Sequence, residues 1–189
     1  MPEGTDVGGF LDALAQARSG VANVPVYVEV PRDDRRTDVV AALAGYGYRA
    51  KFRTGGVRAE LYPDEAELAA AVRAVTAARV PFKATAGLHH AVRNTDPETG
   101  FEQHGFLNLL LATDAALGGA DEADVAAVLA ERDAGTVATG VRDLGPRRTA
   151  AAREAFVSFG TCSITEPLAE LVDLGLVDGS VVRGEGITT

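Results

Sequence analysis

VPFKATAGLHH, residues 80–90, sets Lys83 inside an apolar run and follows it with a glycine and two histidines. An ammonium in a strand-like segment is costly unless something compensates its burial. A second lysine, Lys51, lies in YRAKFRT, residues 48–54, two positions before Arg53. An amine with an ordinary pKa near ~10.4 is protonated at neutral pH and is a poor nucleophile. A second cation within about 4–6 Å, or a desolvated pocket, favours the free amine. Lys51 with Lys83 and Arg53 offers such a field. A free amine adds to a carbonyl to give an imine, the electron sink of aldol chemistry. Glu29, in VYVEVP at 26–31, is the candidate proton carrier. The structural alternative is an ion-pair network in which Lys51 or Arg53 pairs with Glu29.

The histidines form the second cluster. His89, His90 and His104 lie within sixteen positions, with Glu102 between them. A metal takes three or four such ligands, so these four residues are an alternative metal set. No HxH or HExxH spacing is present, and adjacent histidines on one loop bind together only if the backbone turns. The other expectation for His89 and His90 is contact with an anionic substrate. Gly160, Thr161 and Ser163 precede a helix start near Thr165, where free amides can hold a phosphate or merely cap the helix. Cys162 has no histidine near it in sequence and reads as a small buried residue.

Composition narrows the classes. The chain has 189 residues, 47% hydrophobic and 24% charged, which suits one soluble domain with a sizeable core. Its net charge of −9 disfavours a broad nucleic-acid surface. A lone cysteine excludes an internal disulfide framework and fits a reducing, cytoplasmic setting. No apolar run approaches the ~20 residues of a membrane span, and the N-terminus lacks a signal-peptide layout.

These residues need elements to position them. Helical spacing predicts helices over 7–19, over 37–44 with Thr37 as cap, and over 64–78 with Asp64 and Glu67 as a capping box. Period-two alternation predicts strands over 23–31, 48–54 and 80–86, ended by glycines or prolines. Residues 91–103 read as a loop, 104–117 as a helix, and Asp121 as the cap of a helix to about 132. A short helix is expected over 147–154, a fourth strand over 155–163, a helix capped by Thr165, and a weakly ordered tail. The order β-α-β-α-β with short connections predicts parallel neighbours in one sheet covered by helices. Within each strand, Val26, Val28, Val30, Ala50, Phe52, Phe82, Ala84, Ala86, Val157 and Phe159 fall on one face. Glu29, Lys51, Arg53, Lys83, Thr85 and Ser158 fall on the other. On parallel neighbours these polar groups converge near the carboxyl ends of the strands. The bland alternative is a sheet with one solvated face.

Two of these stretches resemble a known family. AKFRTGG at 50–56 resembles the K-T-S-T-G strand of deoxyribose-phosphate aldolases, which carries the imine-forming lysine. KATAGLH at 83–89 resembles the following strand of that family, K-A-S-G-G-I-R, where a second lysine assists the first. FGTCS at 159–163 is faintly similar to the glycine-containing last strand, and VYVEVP to the preceding one. The resemblance covers about residues 24–90. It departs where Phe52 and Arg53 replace small polar residues and His89 replaces an arginine. No counterpart of the family's general-acid aspartate is visible, and residues 91–154 form a longer helical insertion than the family has.

The expectation is therefore an α/β domain laid out as half of a (β/α) barrel, or a related open sheet, over residues 1–189. The resemblance implies an aldolase-like lyase acting on a small, phosphorylated carbonyl compound. Lys51, Lys83 and Glu29 would be catalytic, with no cofactor. Arg53, Thr85, His89, His90, Ser158, Gly160 and Thr161 would bind substrate. Neither nucleic acid nor membrane is expected as a partner, and a homo-oligomer would complete the half barrel. The alternatives are the metal set above and a non-catalytic ligand-binding or interaction domain.

Overall fold

The computed structural model describes residues 4–21 and 24–183. Four strands form one parallel sheet: β1 (Tyr27–Glu29), β2 (Arg49–Arg53), β3 (Phe82–Thr85) and β6 (Phe156–Gly160), in the order β1-β2-β3-β6. A two-stranded antiparallel ladder, β4 (Asn94–Thr95) with β5 (Glu102–Gln103), interrupts the stretch read as a plain loop. The Asp96 side chain closes that turn by accepting from the amides of Glu98 and Thr99. β1 is shorter than the alternating run that predicts it. Pro25 and Pro31 lie within that run on either side of β1 and cannot donate to a ladder.

The helices follow from caps and apolar stripes. α1 (Val7–Ala17) buries Leu11. α2 (Arg36–Tyr46) buries Val39, Val40 and Leu43, and Gly47 closes it at φ +65°. Thr37 does not cap α2; the Asp33 carboxylate accepts from the Arg35 amide just outside the helix. α3 (Glu65–Ala77) begins at Asp64, whose carboxylate accepts from the Glu67 amide at 2.8 Å. Only that half of the capping box forms, because the Glu67 carboxylate takes two bonds from Arg32 instead.

α4 (Phe106–Leu117) and α5 (Glu122–Ala130, capped by Asp121) match their patterns. α6 (Ala134–Ala155) is far longer than the short helix expected there. Gly135, Gly140 and Gly145 lower the propensity of its first half, which tertiary packing overrides. Gly145, at φ +63°, and Pro146 break it into two helical segments. α7 (Thr165–Asp173) is capped by Ser163 rather than Thr165, since the Ser163 hydroxyl accepts from the Glu166 amide at 3.2 Å. α8 spans Ser180–Arg183, and the remainder of the tail lies outside the described residues.

One sheet face makes the core. Val28, Ala50, Phe52, Phe82 and Ala84 are buried there, together with Leu43, Leu68, Val72 and Val75 from α2 and α3. Phe82 is the hub: its ring lies 5.3 Å from those of both Phe52 and Phe156, and it is fully buried. Phe159 on β6 stacks on Phe106 of α4 at 4.7 Å.

A buried polar knot ties the β4–β5 ladder to α3. Arg93, with its side chain 8% exposed, pairs with Glu65 at 2.7 Å and Glu102 at 3.2 Å. Its guanidinium also donates to His104 Nδ1 at 3.2 Å, while His104 Nε2–H donates to the Pro63 carbonyl at 2.8 Å. This pairing requires the neutral imidazole. Burial, reinforced by the Arg93 charge, pushes the His104 pKa down against the pull of the Pro63 bond.

Two outcomes are expected. Truncating Phe82→Ala should cost roughly 3–5 kcal/mol in denaturant melts, because the hub leaves a cavity among packed rings. The unfolded chain protonates this histidine near pH ~6.5 while the folded one resists. The unfolded state then binds more protons, so stability should fall as pH drops from ~7.5 to ~5.5. His104→Gln should flatten that slope in pH-dependent thermal melts; an unchanged slope would assign the effect to other groups.

Candidate functional site

Register on the second sheet face builds the site. Glu29 pairs with Lys51, Lys51 with Lys83, and Lys83 with Ser158, so these four residues form one row across the strands. One level toward the carboxyl ends, Arg53, Thr85 and Gly160 form a second row. One level below, Tyr27 pairs with Arg49. All are partly exposed except Ser158, which is exposed. Glu29, Lys51, Arg53, Lys83, Thr85 and Ser158 gather as expected, but on β6 a register shift, and not strict alternation, sets Ser158 beside Lys83 and puts Phe156 in place of Val157 opposite Phe82 on the apolar face.

The chain holds only two lysines against sixteen arginines, and the two are register partners on neighbouring strands. An ion pair is served at least as well by arginine. Only a lysine carries an amine that can lose its proton and add to a carbonyl. Among the described residues of these strands, Arg49, Lys51, Arg53 and Lys83 share their face with one carboxylate, Glu29, in a chain of net charge −9.

The contacts within the row are specific. Lys51 Nζ lies 2.6 Å from Glu29 Oε2, and Arg53 Nε lies 3.5 Å from Glu29 Oε1. Burial alone would raise the Glu29 carboxyl; the hydrogen bond and charge of Lys51, with the charge of Arg53, hold it below the usual carboxylate range. The ion-pair network weighed from the sequence is therefore present. Lys83 Nζ sits 4.5 Å from the centre of the Tyr27 ring, a cation–π contact. Arg49 also lies over that ring and donates to the Tyr27 hydroxyl at 2.9 Å. Alternation with Val28 puts Tyr27 on this face, but its role as a platform for Lys83 has no sequence signature.

The strand exits are pinned behind the site. Ala86 and Gly87 both have positive φ, 68° and 75°. The buried Thr54 hydroxyl donates to the Ala86 carbonyl at 2.6 Å. A Cβ on Gly87 would stand 2.7 Å from the Thr54 carbonyl, and one on Gly55 would stand 2.8 Å from Gly87 Cα. Glycine is required here by backbone crossing backbone. The Thr85 hydroxyl leans back onto the sheet, donating to the Phe52 carbonyl at 3.3 Å.

The histidine cluster does not assemble. His90 Nδ1 contacts Glu170 Oε1 on α7 at 2.5 Å, and the second carboxylate oxygen accepts from the Ala91 amide. His104 is buried with both ring nitrogens engaged by Arg93 and Pro63. Glu102 accepts from Thr95 and pairs with Arg132 and Arg93. His89 is partly exposed on the loop after β3. Among the described residues no group of three or more His, Cys, Asp or Glu is placed to hold a metal ion. The backbones stay close, since the Phe106 amide donates to the His90 carbonyl at 3.0 Å, but the side chains are committed to separate partners. Glu170, which fixes His90, lies eighty residues away and had no signal in the sequence.

The anion site expected at Gly160–Thr165 is largely satisfied from within. Thr161 Oγ1 accepts from the Ser163 amide, and Ser163 Oγ from the Glu166 amide. Cys162 is exposed, which corrects the expectation of a buried residue; it follows the end of the edge strand β6. A groove of about 490 Å³ lies between α4, α5 and α6, on the helical side of the sheet and away from the lysine row. Among the described residues no helix is long and apolar enough to cross a membrane. No family model, curated protein or solved structure matches the chain, so its own geometry carries the functional reading.

Proposed function

We propose that this protein is an aldolase-like lyase that forms a lysine imine with a small carbonyl compound. The observation that carries the reading is the pairing of its two lysines at one level of a parallel sheet, on a face where arginine supplies every other cation. Imine formation needs one of the two to react as the free amine. The resemblance of AKFRTGG and KATAGLH to the two lysine strands of deoxyribose-phosphate aldolases supports the same reading. Glu29, hydrogen-bonded to Lys51, orients that amine for proton transfer to and from the substrate. Arg53 reaches Glu29 only through Nε, so its remaining nitrogens are suited to a carboxylate or phosphate on the substrate. Thr85, Ser158, Gly160 and Thr161 border that position, with His89 and His90 on the adjoining loop. The open face would be closed from bulk water by a second copy of the chain, as in a completed barrel.

A second reading rests on the four-to-one excess of cations on this face: a non-catalytic site for a small anion. One experiment separates the two. The protein is incubated with glycolaldehyde, glyceraldehyde 3-phosphate or pyruvate in the presence of cyanoborohydride, and its intact mass is followed. The enzymatic reading expects a stoichiometric adduct that the Lys51→Arg/Lys83→Arg double variant, which keeps both charges, does not form. Saturable phosphate binding without any adduct would sink the lyase and leave the anion site.

A further inference from the structure

Resting on the lyase reading, we infer that Lys83, and not Lys51 as the resemblance implies, is the amine that forms the imine. Lys51 with Glu29 then acts as the proton-transfer pair beside it.

The two amines differ in what they would give up. Lys51 Nζ is held 2.6 Å from Glu29 Oε2, in a charge-assisted hydrogen bond. To attack a carbonyl it must lose its proton and give up that charge-assisted bond. Lys83 makes no ion pair with a carboxylate among the described residues. Its contact is the face of Tyr27 at 4.5 Å. A cation–π contact in a half-wet site is weaker than a hydrogen bond to a carboxylate. Arg49 also lies over that ring, 5.5 Å from its centre, so the platform keeps a cation when Lys83 is neutral. Lys83 also has Lys51 at its own level on one side and the Ser158 hydroxyl on the other. Within the row, the amine without a carboxylate stands between a proton donor and a hydroxyl.

The chemistry balances with these groups. The Lys83 ammonium first gives one proton to solvent; its nitrogen lone pair then forms a bond to the carbonyl carbon, and a second proton displaced from nitrogen moves to the oxygen, giving a carbinolamine. The Lys51 ammonium gives a proton to the carbinolamine hydroxyl. The C–O bond breaks, water leaves, and a protonated imine stands on Lys83. Lys51 is now a neutral amine against the Glu29 carboxylate, placed to take a proton from the carbon next to the imine. Charge is conserved: one cation enters on Lys51 and one leaves on the iminium.

The chain's two lysines make the assignment directly readable. The full-length protein is treated with glyceraldehyde 3-phosphate and cyanoborohydride, and initial rates of adduct formation at each lysine are read by peptide mass mapping. The adduct is expected on Lys83. Lys51→Arg should leave it on Lys83 but slow its formation roughly a hundredfold, the usual contribution of a positioned proton donor. Lys83→Arg should abolish it without transfer to Lys51. An adduct on Lys51, or equal labelling of both in the unmodified protein, overturns the assignment while leaving the lyase reading intact. Labelling of neither overturns the lyase reading itself. The mapping of the unmodified protein decides the matter even if a variant fails to fold.

Discussion

Two like charges stand side by side on neighbouring strands of this protein, and the rest of its candidate chemistry depends on that placement. Directly opposed like charges destabilise a sheet. Here the register is set by the apolar face, not by the lysines. Ala50, Phe52, Phe82 and Ala84 bury together, and moving either strand by one residue would drive its whole apolar set to the wrong side. Lys51 and Lys83 are carried to the same level of neighbouring strands by that constraint. The Glu29 carboxylate and the Tyr27 ring offset the repulsion, one for each lysine. A single carboxylate cannot serve two ammonium groups and a guanidinium equally, and this asymmetry gives the two lysines different chemical characters.

The sheet is two-faced in a way parallel sheets seldom are. The expectation of a sheet covered by helices holds for the apolar face, which α2 and α3 bury, with α4 and α6 packing at β6. The polar face keeps its side chains partly in contact with solvent. A barrel interior has this polarity at its carboxyl end, and so does an open sheet that binds an anion. The pinned exits of β2 and β3 hold the row in place in either case. Thr54 and the Gly55–Gly87 crossing leave those strand ends little freedom to part.

Away from the site, the chain places its buried charge around Arg93 rather than around the histidines. His104 serves that knot as a neutral acceptor and donor, which explains why a residue type suited to metals is structural here. His90 is likewise committed to Glu170, linking the loop after β3 to α7 across the β6 edge.

Much of this was legible in the chain itself. Period-two alternation in VYVEV, RAKFR and FKAT fixed which residues share a face, because strand geometry leaves no other choice once the apolar set is buried. Asp64, Asp121 and Gly47 marked helix ends, because an unpaired amide or a left-handed residue has few solutions. The first half of α6 was hidden by its glycines, and the β4–β5 ladder by its turn residues. Both are stabilised by contacts distant in sequence that no local window contains. Strand order, the in-register meeting of Lys51 with Lys83, the choice of Glu29 for Lys51 and of Tyr27 for Lys83, and the dispersal of the histidines were decided only in three dimensions. Local pattern says which way a side chain faces; only the packed fold says what it meets there.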